Sequence, residues 1–329
     1  MTLTQRVVSL LPSATEMLCM ISGGREMLVG RSHECNFPSN LDHIPVVTDQ
    51  LTTFTTAANV DKDVSAALAS GDPLYLLDKD ALISLKPSVI LTQELCNVCS
   101  IDMPAVIRAA SRIDPPPMIK SISPTNLEEV ISAVEVIGNN VGLHTEGLQA
   151  RNILEARVAA VDARVKGARK IGRRSPVIAF VEWPDPIYVG GHWTPQLIER
   201  AGGAHPLNPP KASEGGGAGL SFPVSPEVFA ASDPDYIIIS PCGLDLNTTR
   251  QEYGLLASND WWQRLPAVRN GRVVLVDGDA YFNRPGPRLV DCLEWLAFIL
   301  HNSPFDWPGR DFPCEWISAA QTAEMIRQR

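Results

Sequence analysis

The stretch His144-Thr-Glu-Gly-Leu-Gln-Ala-Arg-Asn-Ile-Leu-Glu-Ala-Arg-Val-Ala-Ala-Val-Asp-Ala-Arg-Val-Lys-Gly-Ala-Arg-Lys170 decides how the rest of the chain is read. Leu154, Val158, Val161 and Val165 recur at the spacing of one helix face, and Arg157, Asp162, Arg164 and Lys166 supply the solvated face. Unbroken from Thr145 to Ala168, such a helix is on the order of 35 Å long at 1.5 Å per residue. It lies near the middle of the chain, and the pattern before it returns after it. The stretch therefore predicts a rigid strut between two related halves.

The repeat is clearest where Ala81-Leu-Ile-Ser-Leu-Lys-Pro-Ser-Val-Ile-Leu-Thr92 stands beside Val228-Phe-Ala-Ala-Ser-Asp-Pro-Asp-Tyr-Ile-Ile-Ile239. Each is an apolar helix end, a charged residue, a proline, one polar residue and a buried strand. Gly23-Gly24 and Gly202-Gly203 close comparable helices in the two halves. In the first half, strands are expected at Val7–Leu11, Met27–Val29, Ser88–Thr92 and Met118–Ile122. Helices are expected at Met17–Ile21, started by a Ser13/Glu16 capping box, and at Asp78–Leu85, Met103–Ala110 and Leu127–Ile137. The second half reads as strands Val177–Val181, Ile187–Val189, Asp235–Ser240 and Val273–Val276, with helices Gln196–Ala201, Pro226–Ala231 and Arg288–Leu300. This is an α/β fold of two Rossmann-like lobes with parallel sheets, joined by one long α-helix. The division predicted is 1–125 for the N-terminal lobe, 126–174 for connecting helices, 175–302 for the C-terminal lobe and 303–329 for a tail.

With 329 residues, 45% hydrophobic and 20% charged, the chain can build two packed cores. A formal net charge of −9 argues against a nucleic-acid partner. The basic cluster Lys166, Arg169, Lys170, Arg173 and Arg174 suits the strut's C-terminal end. No apolar run reaches the roughly 20 residues of a membrane span. The first residues lead straight into a strand without the features of a signal peptide, and seven cysteines is an odd number. A monomeric cytoplasmic protein with free thiols is expected, or a periplasmic one if residues ahead of Met1 have been removed.

Ligands of such sheets sit beyond the strands' carboxyl ends, in the expected cleft between the lobes. The chemistry-bearing loops fall there: Ser32–Phe37, Gln93–Cys99, Glu182–Trp193, Gly215–Phe222 and Asp279–Arg284. Cys96 and Cys99 form a C-x-x-C, and His33 and Cys35 stand on a neighbouring loop, a donor set suited to zinc or iron. The same thiols also read as small buried side chains or as a redox pair. Trp183, Trp193, Phe222, Tyr281 and Phe282 could wall a flat apolar ligand or pack the lobes together. Ser213–Leu220 is glycine-rich without a following Lys-Ser/Thr, so it is no P-loop and reads as a mobile loop over the cleft. No nucleophile elbow or His-Glu-x-x-His occurs, which favours a binding protein over an enzyme.

The opening Arg6-Val-Val-Ser-Leu-Leu-Pro-Ser-Ala-Thr-Glu16 combines with Leu85-Lys-Pro-Ser-Val-Ile-Leu91, the two Gly-Gly pairs, Pro223–Phe229 and Asn283-Arg284-Pro285-Gly286-Pro287-Arg288. In this order they resemble the substrate-binding proteins of ABC importers for corrinoids, ferric siderophores and haem, cobalamin-type members above all. The resemblance implies two α/β lobes on a single long helix and a small-molecule ligand, cobalamin or a similar metal chelate, in the cleft. Ser32, His33, Glu34, Cys35, Trp183, His192, Trp193, Phe222, Tyr281 and Phe282 would then line the ligand, with His33 or His192 able to reach a cobalt ion. The resemblance also implies that Asp80 and Glu227 dock on an ABC permease if the protein is exported. The rival reading is a cytosolic metalloprotein, or a tetrapyrrole- or metal-handling enzyme, with Cys35, Cys96, Cys99 and His33 as its metal site.

Overall fold

The computed structural model describes residues 5–94, 101–168, 174–301 and 308–327. The first half runs β1 (Val7–Ser9), α1 (Pro12–Met20), β2 (Leu28–Arg31), β3 (Thr48–Gln50), α2 (Ala57–Ser70), β4 (Tyr75–Leu77), α3 (Lys79–Ser84), β5 (Val89–Thr92), α4 (Met103–Ala110), β6 (Met118–Ser121) and α5 (Leu127–Val141). The long helix α6 spans His144–Ala168. After it come β7 (Ile178–Pro184), β8 (Ile187–Val189), α7 (Trp193–Arg200), β9 (Phe222–Pro223), α8 (Pro226–Ala231), β10 (Tyr236–Ile239) and α9 (Leu246–Ala257). The chain ends with α10 (Asp260–Gln263), α11 (Pro266–Arg269), β11 (Val273–Val276), α12 (Leu289–His301), β12 (Cys314–Ile317) and α13 (Ala319–Arg327).

Two compact α/β units share α6: residues up to Glu155 count with the first and Ala156 onward with the second. Two short segments from early in the sequence, Thr56–Ala58 and Thr125–Leu127, also count with the second unit. The first unit holds a four-stranded, fully parallel sheet in the order β2-β1-β5-β6, with β3 and β4 as a separate antiparallel ribbon. The second holds six strands in the order β12-β11-β10-β7-β8-β9. Its centre, β7, β10 and β11, is parallel, and β8, β9 and β12 pair antiparallel at the edges.

The strut forms as its periodicity requires. Leu154, Val158, Val161 and Val165 are all buried, each contributing roughly 1.5–3 kcal/mol of hydrophobic stabilisation. Ion pairs hold the other positions. In the first unit Arg151 Nη1 meets Glu135 at 2.6 Å and its Nε meets Glu155 at 2.8 Å. In the second, Arg157 forks onto Glu294 at 2.9 and 2.7 Å and onto Asp291 at 2.5 Å, while Arg200 grips Asp162 at 2.9 Å. Burial alone would ease Arg157 toward losing its proton, but the two carboxylates outweigh it and raise its pKa. Where α5 meets α6, Gly138 and Gly147 let the backbones touch: a Cβ on Gly138 would lie 2.7 Å from the Gly147 Cα.

Several local expectations shift. Proline at the first position starts α1 at Pro12, so Ser13 and Glu16 lie buried inside the helix and no side chain caps it. Between β2 and β4, where no element is expected from the sequence, the chain forms β3 and α2. The C-terminal segment gives the second sheet a sixth strand, β12, before its helix.

Candidate functional site

In the first unit β1, β2, β5 and β6 are parallel, so their carboxyl ends share one edge. The chain leaving β2 there carries Ser32, His33, Glu34 and Cys35. The His33 backbone N–H donates to Thr48 Oγ1 at 3.0 Å, His33 Nδ1 lies 2.7 Å from the same oxygen, and Thr48 Oγ1 donates to Ser32 Oγ at 3.1 Å. Ser32 Oγ also accepts the Glu34 N–H at 3.3 Å. Ser32 and Thr48 are buried, and His33 Nε2 is shielded from solvent with no hydrogen-bond partner in the protein. The Tyr75 ring stands 5.8 Å from the imidazole, centroid to centroid, and its hydroxyl points to Glu34 Oε1 at 3.4 Å. Thr48 and Tyr75 come from the β3–β4 ribbon. The β-branched run Val46-Val47-Thr48 is the sequence signal that would have announced the ribbon's first strand.

Cys35 packs against α1. Its thiol is buried 3.0 Å from Thr15 Oγ1 of α1, and its carbonyl accepts from Arg31 at 3.0 Å. Cys96 and Cys99 lie outside the described residues. Among the described residues, no group of three or more His, Cys, Asp or Glu side chains is arranged to hold a metal ion.

In the second unit the shared carboxyl edge is formed by β7, β10 and β11. Asn283 stitches its loops together, donating to the Ser240 carbonyl at 2.8 Å and the Gly278 carbonyl at 3.1 Å. Arg284, itself buried, pairs with Asp279 at 2.6 Å. Burial, and then the nearby Asp279 carboxylate, push the Asp277 carboxyl above its ordinary range. Tyr281 is half-buried, with Arg288 over its ring at 5.1 Å and Phe312 at 4.5 Å. Phe282 is fully buried among Phe180, Trp295 and Phe312. Trp193 is also buried, its indole N–H donating to the Phe282 carbonyl at 2.6 Å. These two rings pack the interior of the unit. Trp183 is half-buried and donates to the Ala57 carbonyl at 3.1 Å, while the Ala57 N–H donates to Glu252 at 3.2 Å. Phe222, on edge strand β9, is 40% exposed.

His192 precedes α7 with φ 51° and ψ −115°, a conformation that an L-residue holds only when its surroundings impose it. They do: its N–H donates to Gly219 O at 3.0 Å and its carbonyl accepts from Ala218 N at 2.6 Å. The glycine-rich loop expected to be mobile is thereby fastened. Lys211 N also donates to Gly217 O at 2.7 Å, and Asn208 donates to the carbonyls of Gly190 and Leu220 at 3.1 and 3.2 Å.

Asp80 and Glu227 occupy the same place in two six-residue helices. Asp78 caps α3 by accepting from Ala81 N, and Ser225 caps α8 by accepting from Val228 N, which leaves each acid at the second helical position. Both are exposed; the Asp80 side chain is 93% accessible, with Arg112 at 4.0 Å. The Ser225 hydroxyl, followed by the Glu227 backbone N–H, holds the Glu227 carboxyl below its ordinary range.

Two α/β units on one continuous helix, each presenting loops at the carboxyl edge of a parallel sheet, are the architecture of a substrate-binding protein. The chain belongs to the periplasmic binding protein family, which it matches over residues 7–280. It is similar in fold to a periplasmic heme binding protein from Pseudomonas aeruginosa, with a TM-score of 0.70 and 22% identity over 96% of this chain and 99% of that one. A second likeness is the periplasmic vitamin B12 binding protein BtuF of Vibrio cholerae, with a TM-score of 0.62 and 19% identity over 90% and 96%. A third is the periplasmic heme-binding protein RhuT from Roseiflexus sp. RS-1, with a TM-score of 0.64 and 21% identity over 91% and 98%. No curated protein matches the sequence.

The protein is thus a binding protein of the periplasmic-binding-protein type and not an enzyme. The expectation of a cytoplasmic location is corrected by the same finding, since the family and its solved members are periplasmic binding proteins. An odd cysteine count is a weak guide, because buried thiols such as Cys292 pack as small hydrophobes in any compartment. No helix among the described residues is long and apolar enough to cross a membrane.

Proposed function

We propose that the protein binds one metal-centred tetrapyrrole, cobalamin or haem, and delivers it to an ABC permease. The observation that carries this reading is family membership over 274 of 329 residues, joined to full-length likeness to proteins whose ligands are heme and vitamin B12. The half-exposed aromatics Trp183, Phe222 and Tyr281 support it, because a flat macrocycle with apolar edges needs such surfaces. Ser32, His33 and Glu34 supply the polar contacts at the edge of the first sheet. Asp80 and Glu227, equivalent in position and exposed, suit docking on permease arginines.

A visible-spectrum titration with hydroxocobalamin and with haemin tests the reading. One of the two should bind at one per chain, and Phe222→Ala or Tyr281→Ala should weaken it roughly tenfold to hundredfold through lost apolar contact. Absence of a spectral shift with either compound at high micromolar concentration would contradict the proposal.

A further inference from the structure

We propose that Cys19 and Cys35 are a cross-linking site: their thiols join as a disulfide that fastens the chain leaving β2 to helix α1. The site lies within the first unit and holds whatever the ligand's identity.

Cys35 follows β2 on the loop that carries Ser32, His33 and Glu34, and its thiol is buried against α1, 3.0 Å from Thr15 Oγ1. Thr15 gives its own hydroxyl proton to the Leu11 carbonyl at 3.3 Å, so toward Cys35 it accepts, and the S–H points at this face of the helix. Cys19 stands four residues beyond Thr15 in the same helix, Pro12–Met20. Residues at that spacing share a face, with Cβ atoms roughly 5–6 Å apart. A sulfur resting on Thr15 therefore reaches one at Cys19 through side-chain rotation.

The electrostatics agree with this placement. Burial above all pushes the Cys19 thiol up to about 11; Arg25 opposes the shift and Cys35 adds to it, so the two sulfurs feel each other's charge. Arg25 also ties the far end of the loop, donating to the Ser39 and Asn40 carbonyls at 3.2 and 2.8 Å. A covalent bond from Cys35 to α1 fixes the near end, so the loop is ordered before ligand arrives. Among the described residues, the other cysteines, Cys242, Cys292 and Cys314, all belong to the second unit.

Cys19 is half-buried and Cys35 buried, which sets the order of events. The oxidant is an external disulfide, of an oxidase protein or of glutathione, such as an oxidising periplasm supplies. Cys19 loses its proton to solvent, and its thiolate attacks one sulfur of that disulfide, expelling a thiolate that takes up a proton. Cys35 then loses its proton and attacks Cys19 Sγ in the mixed disulfide, expelling the second thiolate, which is protonated likewise. Two protein thiols are oxidised, and one external disulfide is reduced to two thiols.

The test is peptide mapping of the folded full chain, reduced, incubated with oxidised glutathione, then denatured, alkylated and digested with trypsin in the absence of reductant. Cleavage after Arg25 and Arg31 puts the two residues on separate peptides, 7–25 and 32–62, each with a single cysteine. The expected product is these two peptides joined, and dithiothreitol should part them. Alkylation of both cysteines, glutathione retained on Cys19, or a bond from either to another cysteine overturns the proposal. Reduction of the wild type should speed amide hydrogen exchange across 32–35 by roughly tenfold, and Cys19→Ser should exchange at the reduced rate with or without oxidant. Equal exchange in the oxidised and reduced wild type overturns the fastening role.

Discussion

The turn Lys86-Pro87-Ser88 in the first unit and the turn Asp233-Pro234-Asp235 in the second are the same structure built from different chemistry. Lys86 and Asp233 both take a positive φ, 45° and 43°. In the first turn Ser88 N and Val89 N donate to Arg6 O at 2.8 and 3.2 Å; in the second, Asp235 N and Tyr236 N donate to Val177 O at the same two distances. The residue after each proline also turns its side chain to the opening strand, with Ser88 Oγ accepting from Arg6 N at 2.9 Å and Asp235 Oδ2 accepting from Val177 N at 2.7 Å. The difference is charge. Arg174 forks onto Asp235 at 2.6 and 2.8 Å, whereas the first unit spends Arg6 on the C-terminal carbonyl of α3. A backbone requirement is preserved by whichever acceptor has the right reach, and the charge around it is free to vary.

That equivalence extends to the acids on the helices leading into these turns, and the largest expected effect lies there. On the proposed docking, Asp80→Lys combined with Glu227→Lys should abolish stimulation of an ABC permease's ATPase in vesicles while leaving chelate affinity within about twofold. Either single reversal should give a partial loss if both units dock. Full activity in the double variant would break the functional half of the comparison.

Acid stability should separate the units next. Burial holds the His205 imidazole down at about 4, against an ordinary 6.5. The folded protein resists protonating this ring, so its contribution to stability is complete above pH 6.5 and declines as the pH falls toward 4. That gap corresponds to about 3 kcal/mol. Denaturant unfolding followed from pH 7 to pH 4 should show this loss, and His205→Gln should flatten the slope. A parallel slope in the variant would mean another group carries the acid sensitivity.

The turns themselves should differ by less. Asp235→Ala leaves Val177 N–H without its side-chain acceptor at a half-buried strand start and should cost about 1–3 kcal/mol. Ser88→Ala should cost only about 0.5–1.5 kcal/mol, because Arg6 is exposed and water can replace the hydroxyl. Equal losses in the two variants would show that the extra charge in the second turn adds nothing.

The fold was largely legible because its signals are local and repeated. The strut's apolar face, the two helix–proline–strand repeats and the Gly23 and Gly202 helix ends, with φ of 82° and 96°, all appear where periodicity and turn chemistry set them. Antiparallel edges were harder: β12 pairs with β11 across more than thirty-five residues, and nothing in Cys314–Ile317 itself announces its partner. Of the expected site, His33 and Ser32 stand on the edge that the alternation of strands and helices implied. Trp193 and Phe282 fall in expected loops, yet Trp193 opens α7 and both rings turn into the core, where a backbone carbonyl or another ring receives them. Thr48 was invisible because its importance depends on a contact with His33, fifteen residues away, that only the β3–β4 ribbon creates.

The most direct measurement is calorimetric titration of the wild-type protein with hydroxocobalamin and with haemin under identical conditions. The account predicts a single site per chain for one of these chelates, with the negative heat-capacity change of apolar burial on binding. No heat with either at high micromolar concentration, alongside tight binding of a coordinatively saturated ferric siderophore, would contradict it.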